Sequence, residues 1–225
     1  MQNWLIGVDE AGRGPLAGPV SVGVVLVPRD FDWNLISGVN DSKKLSAKRR
    51  EVIFKRALEL VAAGKLQYSV QMPSAKMIDK KGIAQVIRTA MAKSLREVMV
   101  ENPRGPLGRK SRRDLDTPEF GSRSRLDVGE VVVKLDGSLY APAEYVHQET
   151  IIKGDAKEKV IGLASIMAKV TRDRYMEKIA KKSAFQVYNF AQHKGYGTLA
   201  HRTAIAEHGL SSEHRASYCK NIKFI

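Results

Sequence analysis

Residues 19–27, Pro19-Val20-Ser21-Val22-Gly23-Val24-Val25-Leu26-Val27, are apolar and β-branched at nearly every position. A strand with one wet face alternates polar and apolar side chains, whereas a run like this one needs apolar neighbours on both faces. Such a segment makes the chain build a sheet around it. Residues 3–9 read as a second strand that ends in two acids, Asp9 and Glu10. The Gly-rich stretch 11–18 joins the two over a short connection, which predicts an antiparallel hairpin.

The remaining periodicity supplies the other elements. Ser46 is placed to cap a helix running to about Ala63, with Val52, Ile53, Ala57, Leu60 and Val61 on one face and Gly64 as its stop. Residues 66–72 read as a third strand closed by Pro73. Residues 83–100 read as a helix with Ile83, Val86, Ile87, Ala90, Met91 and Val98 at helical spacing. Strands are expected over 131–136 and 145–152. A long helix over about 157–181 should turn Ile161, Ala164, Ala168, Tyr175 and Ile179 inward, and a short one near 198–208 should end at Gly209. This order implies an α/β protein, a mixed sheet with helices packed on it, forming one domain over 1–225. The pattern lapses over about 102–130. From Arg104 to Arg125 there are seven basic residues against Asp114, Asp116 and Glu119, so this stretch is expected to be a basic insertion or flexible loop.

Composition narrows the function. Lysine and arginine number 38 against 24 acids in the 225 residues, a net charge of +14, which favours a polyanionic partner, nucleic acid first. No apolar run reaches the roughly 18 to 20 residues that a membrane span needs. The N-terminal stretch has no basic region and is broken by acids, so it does not read as a secretory signal. The lone cysteine, Cys219, cannot form an internal disulfide and fits a reducing, cytoplasmic setting.

The chemistry is concentrated in carboxylates. Asp9 and Glu10, Asp136, and Asp155 each stand at or just past an expected strand end. One such acid is an ordinary solvated residue, but four converging at the end of one sheet would repel one another unless a cation compensated them. Hard divalent ions with oxygen ligands do so, and Mg²⁺ takes only a few carboxylates plus water and phosphate. Gly12-Arg13-Gly14-Pro15-Leu16-Ala17-Gly18 lacks the G-x-G-x-x-G spacing of a dinucleotide loop. A plain turn is one reading of it; the sharper one is that its glycines let backbone approach a sugar or phosphate, with Arg13 as a charged donor. His193, His201 and His214 lack a cysteine partner set and the H-E-x-x-H spacing of a zinc site. Structural hydrogen bonding is expected of them.

Five motifs in order resemble those of ribonuclease HII, the type 2 ribonuclease H. They are Gly7-Val8-Asp9-Glu10-Ala11-Gly12-Arg13-Gly14 continuing to Val20; Asp41-Ser42-Lys43-Lys44-Leu45-Ser46; Asp136-Gly137; Lys153-Gly154-Asp155 with Ala164-Ser165 through Arg172-Asp173; and His193-Lys194-Gly195-Tyr196-Gly197-Thr198 through His201, then His214-Arg215-Ala216-Ser217-Tyr218. The resemblance covers essentially the whole chain. It implies an RNase H-like fold, a central mixed sheet flanked by helices with a C-terminal helical part. It also implies cleavage of the RNA strand in RNA/DNA hybrids and 5′ of single ribonucleotides embedded in duplex DNA.

By the same resemblance, Asp9, Glu10, Asp136 and Asp155 would hold two Mg²⁺ or Mn²⁺ ions. Gly12, Arg13, Gly14 and Tyr196 would sense the ribose 2′-hydroxyl and the RNA–DNA junction, and Lys43, Lys44, Lys169 and Arg172 would bind substrate phosphate. No membrane is involved, a monomer is the default, and a sliding clamp is a partner the sequence leaves open. One departure is Gly162-Leu163, where small alanines are usual before Ala164-Ser165, and it is expected to loosen or shift helix packing. A binding protein without catalysis would gain nothing from four carboxylates. The Gly12–Gly14 segment and Tyr196 argue against a junction resolvase or a type 1 ribonuclease H. Ribonuclease HIII would carry an N-terminal substrate-binding domain, whereas Asp9 lies near the start.

Overall fold

The structure is a computed structural model that describes residues 3–39, 44–100 and 126–223. The expected basic insertion falls outside these residues up to position 125. Lys43 of the second motif also lies outside them.

Among the described residues five strands form one mixed sheet in the order β3-β2-β1-β4-β5. β1 (Trp4–Ala11) pairs antiparallel with β2 (Ser21–Pro28), as the short connection predicted, and β2 pairs antiparallel with β3 (Gln67–Gln71). β4 (Val131–Asp136) runs parallel to β1, and β5 (Gln148–Ile151) runs parallel to β4. β2 is buried on both faces. Val22, Val24 and Leu26 enter one apolar cluster, while Val25 and Val27 enter the other.

Two helical layers cover the sheet. On one face lie α2 (Ala75–Lys81) and α3 (Ile83–Val98), which bring Ile78, Val86, Ile87, Met91 and Leu95 against Ile6, Val8 and Leu135. The other face holds α1 (Ala47–Ala62) and the long α5 (Lys159–Ala180), preceded by the single turn α4 (Gly154–Lys157). A third cluster, around Met176, Phe190 and Ile205, packs the C-terminal part: α6 (Phe190–His193), α7 (Leu199–His208) and the end of α5. Each fully buried aliphatic side chain contributes roughly 1.5–3 kcal/mol relative to its exposed state.

Several local expectations change. Ser46 caps α1 as expected, its hydroxyl accepting from the Arg49 amide, but Val52 is half exposed and Phe54 takes its place on the buried face. The segment expected as a strand over 145–152 is extended only over Gln148–Ile151. The Gln148 side chain bonds the backbone of Ala141 and Tyr145, so those groups are not available to a ladder. The helix α2 was hidden behind Pro73, which reads as a stop but stands just before the Ser74 cap. Asp9 and Glu10 lie inside β1, which runs on to Ala11.

Glycines set how closely α5 approaches the sheet. A Cβ on Gly7 would lie 2.2 Å from the Val160 carbonyl oxygen, and one on Gly23 would lie 2.4 Å from that of Ala164. Gly162 does not loosen the helix. A Cβ there would stand 2.3 Å from the Val39 carbonyl oxygen and 2.9 Å from that of Asp155, so this glycine permits a tighter packing than alanine would.

Candidate active site

Strand alternation delivers the first two carboxylates to one place. Successive residues of a strand face opposite sides, so Leu5, Gly7 and Asp9 share the α5 face of β1. On β4, Val131, Val133 and Leu135 enter the opposite core, which turns Lys134 and Asp136 to the α5 face. The register Gly7↔Lys134 and Val8↔Leu135 then carries Asp9 and Asp136 to the same end of neighbouring strands. Lys134 anchors this face through an ion pair of 2.7 Å with Glu158.

Asp9 is buried, and its Oδ1 accepts from the Glu10 amide at 2.7 Å. Burial pushes its carboxyl well above the usual range. The hydroxyl of Ser165 on α5 bonds it and works the other way, while the charges of Glu10 and Asp136 push in the same direction as burial. The contact with Ser165 depends on the close approach that Gly7 and Gly23 allow. Asp136 Oδ1 accepts from the Gly154 amide at 2.6 Å, which ties the end of β4 to the turn carrying the buried Asp155. Glu10 starts from the opposite face of β1 and pairs with Arg13 at 3.1 Å.

The donor set is all carboxylate oxygen, which suits a hard divalent ion. The crowding felt by Asp9 is what such an ion relieves. Among the described residues no three His, Cys, Asp or Glu side chains form a ready-made ligand group. Mg²⁺ does not need one, because it is commonly held by one or two carboxylates together with waters and substrate phosphate.

Beside the carboxylates runs the Gly12–Gly18 turn. Gly12 is buried with a φ of +85°, a conformation that favours glycine, whereas Arg13 and Gly14 are exposed. Tyr196 is 43% exposed, and Lys169 Nζ and Arg172 Cζ each lie 5.8 Å from its ring centre. Lys169 also pairs with Asp173 at 2.8 Å. Lys44 is exposed just before α1.

Arg172 is not the surface phosphate donor that its place on the helix suggested. It is completely buried, and its Nε and Nη2 donate to the carbonyls of Pro19 (2.8 Å) and Ala17 (3.1 Å). The structure adds two groups that residue type and spacing did not single out. Ser165 orients Asp9, and the fully buried Arg215 grips the glycine turn from behind. Both lie within the motifs quoted above, Ala164-Ser165 through Asp173 and His214 through Tyr218, and that was the signal available for either.

Comparison with solved structures places this architecture. It is shared with the ribonuclease H2 from Pyrococcus horikoshii OT3, with a TM-score of 0.66 and 22% identity over 98% of this chain and 97% of that one. The ribonuclease in the PCNA:RNase HII complex from Archaeoglobus fulgidus matches with a TM-score of 0.63 and 24% identity over 96% of this chain and 94% of that one. The sheet and its flanking helices thus have the RNase H-like fold. The Ribonuclease HII family model matches residues 6–104 and 122–222, passing over 105–121 within the basic stretch. A ribonuclease HII from Endomicrobium trichonymphae is 37% identical over 212 residues, covering 94% of this chain and 83% of that protein. The chain belongs to the ribonuclease HII family. It is therefore a ribonuclease H, a hydrolase that cleaves the RNA of RNA/DNA hybrids, in a family dependent on divalent metal.

Proposed function

We propose that this ribonuclease nicks duplex DNA 5′ of a single embedded ribonucleotide, besides cutting RNA/DNA hybrids, and leaves 5′-phosphate and 3′-hydroxyl ends. The observation that supports this reading is the adjacency of the Asp9–Asp136 pair to a glycine turn with exposed backbone. Asp9, Glu10, Asp136 and Asp155 would hold two Mg²⁺ or Mn²⁺ ions, which when bound supply Lewis-acid activation of the attacking water and stabilisation of the leaving 3′-oxygen.

The chain's own residues position the substrate. The Gly12–Gly14 backbone lies against the ribose, whose 2′-hydroxyl alone distinguishes RNA from DNA at a site. The exposed ring of Tyr196 stacks on the next deoxynucleotide. Lys169 neutralises phosphate beside it, and Lys43, Lys44 and Arg13 do so along the approach. Arg13 leaves its pairing with Glu10 when a phosphate is offered, because that exposed ion pair contributes little. The enzyme acts as a monomer in the cytoplasm. A sliding clamp fits as a partner, since the Archaeoglobus fulgidus relative was solved with PCNA.

A labelled duplex with one ribonucleotide tests the reading when incubated with Mg²⁺, Mn²⁺ or EDTA. One nick 5′ of the ribonucleotide is expected with metal and none in EDTA. Cutting that persists in EDTA rejects the metal mechanism, and cutting of hybrids alone rejects the single-ribonucleotide specificity.

A further inference from the structure

The carbonyls of the glycine turn are bound from behind by two side chains. Arg215 donates from Nη2 to Gly12 O (2.7 Å), from Nη1 to Arg13 O (2.9 Å) and from Nε to Gly18 O (3.0 Å). Arg172 takes the carbonyls of Ala17 and Pro19. Both guanidiniums are completely buried. Among the described residues neither has a carboxylate in ion-pair range, and Arg172 Nη1 is buried with no hydrogen-bond partner.

A trans peptide is planar, with its C=O and the following N–H pointing in opposite directions. Carbonyls of Gly12 and Arg13 held inward by Arg215 therefore aim the N–H groups of Arg13 and Gly14 outward. Those two amides donate to no group among the described residues, and both residues are exposed. Consecutive outward N–H groups form a concavity suited to an anionic or hydroxyl oxygen.

We propose that Arg215, backed by Arg172, is a positioning residue that turns the Arg13 and Gly14 amides toward the substrate and gives the turn its positive field for a phosphodiester. This rests on the role given to Gly12–Gly14 above. A guanidinium suits the task because its planar fork presents several donors in fixed directions, which an ammonium cannot do. Burial, and then the neighbouring Arg172 charge, lower the Arg215 pKa to about 10, so it remains cationic at neutral pH. Gly12 leaves room for the pair, since a Cβ there would lie 2.0 Å from Arg172 Nε.

Binding in EDTA separates this inference from the cleavage reaction. Dissociation constants are measured for a duplex with one ribonucleotide and for the same duplex in all-DNA form, and the ratio of the all-DNA value to the ribonucleotide value does not depend on the folded fraction. Arg215→Lys keeps the charge but cannot span three carbonyls, and it is expected to lower both the ratio and the affinity about tenfold. An unchanged ratio and affinity in a variant that melts cooperatively overturns the proposal. A wild-type ratio near one overturns the 2′-hydroxyl reading instead, and the loss of affinity then decides the positioning role of Arg215. Amide hydrogen exchange needs no variant, and it should show Arg13 and Gly14 exchanging fast in the free protein and slowed by the duplex. Slow exchange in the free protein overturns the outward orientation.

Discussion

Nε2 of His201 lies 3.0 Å from Nε2 of His214, and one proton must serve both nitrogens. The Ser211 amide donates to His214 Nδ1 at 2.8 Å, which leaves the His214 proton on Nε2, pointing at His201. His201 then carries its own proton on Nδ1 and donates it to the Tyr196 carbonyl at 2.9 Å. Each ring is thereby fixed as one neutral tautomer, and the expected structural role of these histidines holds.

Stability should therefore fall in mild acid. Burial is the main cause holding both rings down to a pKa of about 4; His193 lowers His201 further, and His201 and then His193 lower His214. In the unfolded chain both titrate near 6.5. Between these values the unfolded state binds protons that the folded state does not. The contribution is complete above about pH 6.5, shrinks as the pH drops and levels off near 4. Each ring accounts for up to about 3 kcal/mol across that window. Urea midpoints at pH 7.5, 6 and 5 should decline in that order, and a constant midpoint contradicts the tautomer chain.

Asp9→Asn should separate stability from activity. The buried Asp9 charge is disfavoured by its surroundings and by Glu10 and Asp136, so neutralising it should leave the EDTA melting temperature unchanged or higher. Wild-type protein should gain stability with added Mg²⁺, by about 2.7 kcal/mol at a hundredfold excess over Kd. The variant should gain much less and lose activity about 10³-fold. An Mg²⁺-induced shift equal to that of wild type would remove Asp9 from the metal site.

How much the sequence disclosed depends on the range of each interaction. β2 was legible because its continuous apolar run admits only a sheet interior, and α1 because Ser46 and Gly64 punctuate it locally. The pairing of Asp9 with Asp136 followed from both standing near strand ends, yet their shared face depends on register, which residue spacing does not reveal. Arg172 and Arg215 show the limit most clearly. Their partners lie 153 to 203 positions away, so an arginine that props up a turn looks in sequence like one that binds phosphate.

Gly162→Ala should be destabilising, although alanine is the better helix former. The added methyl would meet the Val39 and Asp155 carbonyl oxygens, which belong to backbone and do not move aside cheaply. Overpacking of this kind costs about 1–3 kcal/mol, against a helix-propensity gain of at most about 1 kcal/mol. Because Asp155 is one of the contacts, cleavage should slow as well. A melting temperature equal to or above wild type would show that α5 shifts freely.

Tyr196→Ala should discriminate between substrates. The backbone of this residue is held independently of its ring: its amide donates to His193 O at 2.9 Å and its carbonyl accepts from His201. The neighbouring Gly195 carbonyl takes the amides of Leu16 and Ala17, fixing the tyrosine against the glycine turn. Removing the ring therefore deletes a stacking surface without releasing the loop. Stacking of a base on an aromatic ring is worth about 1–3 kcal/mol, so cutting at a lone ribonucleotide should fall about tenfold or more. A continuous hybrid, with many equivalent registers, should be cut nearly as well as by wild type. Tyr196→Phe keeps the ring face and should retain most of the activity on both substrates. Equal losses on both substrates would assign Tyr196 to general binding, and no loss on either would leave it without a part in recognition.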